Sequence, residues 1–415
     1  MTVTTGRRKR LEQLLDLAQT YKGCSRKQLA TTLGRDPTKL VPKTGIPKLD
    51  VVIELAAALD WPVGEVATFL WGHQAARSEC GNGENFDSLN RAAGEAHRAG
   101  RYPKALELAR RARSVANAPD QRARAWNRES GAWDGLGRYT EVLQTTKLGL
   151  QEQGVAPQFR RMLQSNLANA YYCLWSLVES GAIAKSLLGW YQANPPKSDN
   201  ERRTRAFAYY VSGHTLRRLI SVEPRQTRAL AEGAAADLQQ SRQLYLSLAD
   251  ALDDSSLRGI ARTCEGGLIE TAVALGRRRA EDGLAELADG LDQVHDVSDE
   301  LIGDQLESCG WWCIFACNIA LRHLDDDRAL QQHMAVFTNK ADEIAERLNN
   351  WSMRERVCTM QYKRWQRATE ATGLDFPCAL DSDDVRVIAG AMGRFPTFRE
   401  TGWRILQSAQ IVEGN

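Results

Sequence analysis

HRAGRYPKALELARRA (97–112) and DGLGRYTEVLQTTKLG (134–149) carry the same Gly-Arg-Tyr turn, 37 residues apart. Similarity at a fixed period of a few tens of residues marks a repeat array, in which each unit buries its apolar face against its neighbours. Before the first turn, Leu89, Ala92, Ala93 and Ala96 fall at helical spacing, and after it so do Ala105, Ala109 and Ala112. The second unit places Trp126, Ser130 and Trp133 before Gly137 and Tyr139, then Val142, Thr146 and Gly149. Small residues let paired helices approach closely, and the tyrosine is placed to fill the wedge at the turn.

This order of features resembles the tetratricopeptide repeat, a unit of about 34 residues made of two helices and a turn. A third first-helix is legible in NLANAYY (166–172), with a degenerate partner near 177–188. Pro195-Pro196 and the polar segment behind them are expected to interrupt the array. Beyond it, spacing predicts helices over 201–220, 228–252, 256–276, 280–294, 299–322, 327–348, 351–371 and 383–411. The expected fold is all-α, a small helix-turn-helix domain followed by a curved TPR-like α-solenoid capped by the last helices.

Toward the N-terminus, the turn-forming stretch 79–85 separates this array from a different pattern. Leu11, Leu14, Leu15 and Ala18 give a helix over 7–20. Ser25 and Gln28 form a capping box for a second helix that ends at Gly34. Asp36-Pro37 starts a third, which Pro42 restricts to 37–41. Pro47 opens a fourth, with Leu49, Val52, Ile53, Ala56 and Leu59 on one face, and residues 62–71 give a fifth. The expected organisation is therefore 1–78 as one domain, 79–85 as linker, 86–194 as TPR-like repeats and 201–415 as degenerate helical repeats with a cap.

SRKQLATTLG, RDPTKLVPKTG and IPKLDVVIELAAALDWPVGEV together resemble the XRE family of Cro and lambda-repressor-like helix-turn-helix domains over about residues 7–71. The resemblance implies that Ser25, Arg26 and Lys27 hold DNA phosphates, that Arg35, Thr38 and Lys39 face base edges, and that Lys43 and Lys48 add backbone contacts. The family's third helix is longer and lacks an internal proline, so the same fold as a docking or dimerisation module without DNA is the alternative. Charge agrees with a polyanion partner here: residues 1–50 hold 11 Lys/Arg against 4 Asp/Glu, within a chain of net charge +2. Residues 7–10 read either as a solvated, disordered flank or as a groove-reaching arm.

Length and composition fit a large soluble chain: 415 residues, 43% hydrophobic and 26% charged. Nine scattered cysteines suggest neither a disulfide framework nor a zinc site, and a reducing, cytoplasmic location is expected. The basic start lacks the apolar stretch of a signal peptide, and no apolar run is long enough to span a membrane. Cys309, Cys313 and Cys317 share one helical stripe and read first as packing. Asp325-Asp-Asp327 reads as a solvated helix start rather than a calcium loop. No catalytic motif, metal set or cofactor signature is present in the sequence, and no enzymatic activity is expected.

In such arrays the first helix of each repeat lines the concave face. Asn90 and Asn127 are equivalent positions of the two clear repeats, with Asn166 and Asn169 near the corresponding face of the third. Asparagine both donates and accepts, so a ladder of them suits a peptide backbone, with Arg98 and Arg124 as a carboxylate clamp. They serve equally as hydrogen-bonding groups between repeats. The combination resembles the RRNPP group of peptide-sensing regulators, which implies a DNA-binding transcriptional regulator whose repeats receive a peptide or protein. A two-fold symmetric DNA site would make the chain a homodimer. The other reading is a non-catalytic TPR scaffold with a degenerate helix-turn-helix.

Overall fold

The computed structural model describes residues 3–42, 47–61, 63–71, 85–292, 303–373 and 378–411. Among these residues the chain forms nineteen α-helices and one two-stranded sheet. None of the described helices is long and apolar enough to cross a membrane. The chain divides into two compact units: residues 1–79 with 379–390 and 409–415, and residues 80–378 with 391–408.

In the first unit, α1 (Val3–Tyr21), α2 (Arg26–Thr32), α3 (Leu49–Leu59) and α4 (Val63–Trp71) close over Leu11, Leu14, Leu15, Leu29, Leu55 and Leu70. Ser25 caps α2 as its sequence implies: its Oγ accepts from the Gln28 N–H at 3.3 Å, while Gln28 Oε1 accepts from the Ser25 N–H at 2.8 Å. Residues 7–10 are not a disordered flank. They lie within α1, where Arg8 pairs with Glu12 and Arg10 donates to the Leu70 carbonyl at the end of α4.

The third helix contracts further than expected, to a 3-10 turn at Pro37–Lys39. The Asp36 carboxylate caps its start by accepting from the Thr38 N–H at 2.8 Å, and Pro42, with no N–H to give, follows three residues after the turn. The α3 face is also rotated from the expected one. Val51, Val52, Leu55, Ala56, Ala58 and Leu59 are buried, whereas Leu49 and Ile53 are 66% and 43% exposed.

The second unit is a run of helical hairpins: α5 (Phe86–Arg98), α6 (Tyr102–Ser114), α7 (Pro119–Gly135), α8 (Tyr139–Gln151), α9 (Pro157–Cys173), α10 (Leu177–Ala193), α11 (Asp199–Leu219), α12 (Thr227–Leu252) and α13 (Ser256–Ala274). It continues through α14 (Ala280–Asp292), α15 (Asp304–His323), α16 (Asp327–Arg347) and α17 (Trp351–Thr372). Each helix packs on the next, and the first helices also pack on one another, α5 on α7, α7 on α9, α9 on α11 and α11 on α13. That double pairing makes a TPR-like solenoid.

Pro195-Pro196 does not interrupt the array: α11 packs on both α9 and α10, because Ser198 and Glu201 form a capping box that restarts the chain immediately. The expected helix over 383–411 is instead α18 (Ser382–Arg394), a 3-10 turn and α19 (Arg399–Ser408), with β2 (Ala409–Ile411) paired to β1 (Cys378–Leu380). Pro396 begins the 3-10 turn that divides the two helices.

The repeat turns behave as their residues require. Gly100 and Gly137 have φ of 68° and 63°, a region closed to most side chains. The Tyr102 ring occupies the space a Cβ on Gly135 would need, filling the wedge between successive repeats.

Candidate functional site

Two places could carry function, one in each unit. In the first unit, Ser25, Arg26, Lys27, Thr38 and Lys39 are among the exposed residues around α2 and the following turn, with Lys48, also exposed, at the entrance to α3. Arg26 leans on Asp16 at 3.6 Å, and the less exposed Arg35 is tied to Asp50 at 2.5 Å. The Thr38 hydroxyl donates to the Asp36 carboxylate at 2.5 Å, a hydrogen bond that also holds the Asp36 carboxyl below its ordinary range. Lys43 and, apart from Asn85, the expected linker at 79–85 lie outside the described residues.

In the second unit, the asparagines of α9 bond to α7 of the preceding repeat. Asn166 Nδ2 donates to Asn127 Oδ1 and to Ser130 Oγ, both at 2.9 Å, and Asn169 Nδ2 reaches Asp134 Oδ1 at 3.4 Å. Asn90 is buried, and among the described residues its Oδ1 has no hydrogen-bond partner. Arg124 meets Asp87 at 3.3 Å and lies over the Phe86 ring, while Arg98 is exposed at the end of α5.

The sequence reading missed Arg128, one turn beyond Arg124 on the same face of α7. Its guanidinium packs against Gly94, the one place on that side of α5 where no Cβ stands in the way. Burial, together with the neighbouring charges of Arg98, Arg124 and Arg203, lowers its pKa. Among the described residues no carboxylate pairs with it. A half-buried charge left among like charges is disfavoured unless an anion joins it.

Further along that face of α7 lie Gly131, Asp134 and Gly135, and the character of the surface reverses. Here the first helices enclose a cavity of about 250 Å³. Asp134 enters it from α7, Asn169 from α9, His214 from α11, Thr263 from α13 and Glu307 from α15. Its lining includes the aromatic residues Tyr102, Tyr139, Tyr172, Phe207, Trp311 and Phe315.

Burial pushes the Asp134 carboxyl up to about 7, and the Glu307 charge adds to the effect. Burial raises Glu307 as well, although the Trp311 indole N–H and the Asn350 amide donate to its Oε1 at 2.9 and 3.1 Å. His97 and His214 are both held neutral, since burial and adjacent arginines lower their pKa values. The nearby cation Arg217 is spent on Glu270 at 2.6 Å and lies over Phe315.

Cys309, Cys313 and Cys317 are buried in the apolar packing of α15, and burial raises all three thiols. Asp326 caps α16 by accepting from the Arg328 and Ala329 N–H groups. Among the described residues no cluster of His, Cys, Asp or Glu is arranged to hold a metal ion.

No family model matches the chain, and no curated protein matches it. Among solved structures, one match is the crystal structure of Bacillus thuringiensis PlcR in complex with the peptide PapR7 and DNA. It is 14% identical, covers 69% of this chain and 95% of that one, and superposes with a TM-score of 0.37. A likeness at that level leaves function to be argued from this chain's own residues.

Proposed function

We propose that the chain is a ligand-responsive, DNA-binding regulator of transcription, in which the first unit contacts DNA and the inner face of the repeats receives a peptide. The observation that carries this reading is the stripe on α7. It runs from Arg124 and Arg128, beside Arg98, past Asn127 to Asp134 at the cavity. A peptide with a free carboxylate matches the arginine end, because guanidinium and carboxylate form paired, charge-assisted hydrogen bonds. The asparagines of α7 and α9 keep unused amide capacity for its backbone.

On the DNA side, Ser25, Arg26 and Lys27 are proposed to hold phosphates, with Lys48 and Lys43 adding to them. Arg35, Thr38 and Lys39 are proposed to face the bases. A ligand alters DNA binding only if it prefers one of two arrangements of the chain.

The test of the ligand side uses the full chain and a pool of short synthetic peptides, each made with a free and with an amidated C-terminus. Preferential retention of the free acids, lost in Arg98→Ala plus Arg128→Ala, is the expected result; equal retention of both forms contradicts the clamp. Asn90→Ala plus Asn127→Ala is expected to weaken every retained peptide alike, and unchanged affinity removes the asparagines from the site.

The brevity of the 3-10 turn favours a second reading, a TPR scaffold whose helix-turn-helix does not read bases. It differs in selecting no shared DNA sequence.

A further inference from the structure

We propose that the cavity between α7, α9, α11 and α15 is a recognition pocket for one organic cation, a protonated amine or a guanidinium. It deepens the ligand-binding reading of the inner face and rests on that reading, but not on the DNA-binding one.

The cavity's charge is one-sided. Asp134 and Glu307 face it, both histidines are neutral, and among the described residues no lysine or arginine lines it. Among the described residues neither carboxylate has an ion-pair partner, although elsewhere in the same unit buried acids are paired: Glu129 with Arg110 and Arg113, Glu270 with Arg217 and Arg322. Two uncompensated acids in a site poor in water lean toward their protonated forms, and an entering cation draws them back to the charged ones. Aromatic faces around the pair add attraction for a cation, most of all once it is desolvated.

A second, independent observation comes from His214, which lines the cavity and is 1% exposed. Arg217 Nε donates to its Nδ1 at 3.2 Å, so the neutral ring carries its proton on Nε2. Among the described residues that Nε2–H has no acceptor. A buried donor without a partner is costly, and a ligand carrying an acceptor beside its cationic group would satisfy it.

Size narrows the occupant. About 250 Å³ lies below the roughly 300–1,000 Å³ of pockets for drug-sized ligands. It admits one long side chain or a small free amine, and not a folded peptide.

The experiment is calorimetric titration of the full-length protein with Nα-acetyl-lysine amide, Nα-acetyl-arginine amide, agmatine and the uncharged Nα-acetyl-norleucine amide. At least one cation is expected to bind while the norleucine derivative does not. Asp134→Asn and Glu307→Gln are each expected to weaken that cation by at least about 30-fold, the range for removing one partner of a desolvated charge pair. A blocked amino acid outperforming agmatine identifies a peptide side chain as the source, and the reverse identifies a free amine.

Binding of norleucine amide as tight as the cations, no binding of any cation, or full affinity in both variants overturns the proposal. The comparison within the wild-type protein stands even if a variant misfolds. Peptides retained with no preference for a basic residue would sink the pocket and leave the peptide reading intact. Cations bound while no peptide is retained would do the opposite.

Discussion

Asp134 places a carboxyl where water is scarce and Glu307 is near, and its pKa rises to about 7 from an ordinary 3.8. A carboxyl raised by folding favours the folded chain in its protonated form. That contribution is fully present below pH 3.8 and is lost as pH rises through about 7. Tyr139 and Asn169, which hydrogen-bond to Asp134, temper the loss without reversing it. Glu307 acts in the same direction. Asp134→Asn cannot titrate, so it is expected to gain on the order of 3 kcal/mol over the wild type between about pH 5 and about pH 8. Chemical unfolding at the two pH values measures it. A parallel pH dependence in both proteins would show that Asp134 ionises freely. None of this was legible in the sequence, where Asp134 and Glu307 stand 173 residues apart and look like ordinary surface acids. Asn90 and Asn127 stood out in the sequence because each lies ten residues before the glycine of its repeat turn, Gly100 and Gly137.

At the scale of the helix, small residues set how closely the repeats approach. Gly149 on α8 has Leu163 Cδ1 and Trp126 Cβ each at 2.9 Å from where its own Cβ would stand. Trp126 Cβ is fixed to the α7 backbone, so a methyl group there must push α7 and α8 apart. Gly149→Ala is expected to cost roughly 1–3 kcal/mol by overpacking, more than the ~1 kcal/mol gained from better helix propensity. Gly189 on α10 is exposed with nothing within 4 Å, and Gly189→Ala is expected to stabilise by up to ~1 kcal/mol. Thermal unfolding of the pair separates packing from propensity, and equal shifts would deny the close approach. Repeat spacing made these contacts readable in advance. The α3 face was misread because Leu49 and Ile53 satisfy helical periodicity as well as the buried set does, and periodicity alone does not say which apolar stripe meets the neighbouring helices.

For the molecule as a whole, the repeats were the most legible feature, since Gly-Arg-Tyr recurs with small residues at matching offsets. The C-terminal order was the least legible: residues 379–390 and 409–415 belong to the N-terminal unit although hundreds of residues separate them from it in sequence. In the proposed regulator, basic residues of the first unit would supply affinity for any polyanion, and such binding fades steeply with salt. Sequence selection, by contrast, must come from contacts at the 3-10 turn. The central claim is therefore tested most directly by selecting genomic DNA fragments with the full-length chain over a rising salt series, alongside Thr38→Ala and Lys39→Ala. A regulator enriches fragments sharing one sequence at the higher salt concentrations, and either substitution relaxes that selection by about fivefold or more per affected base pair, the lower range of a lost base contact. Fragments retained without a common sequence, or retained equally by the substituted chains, would contradict it.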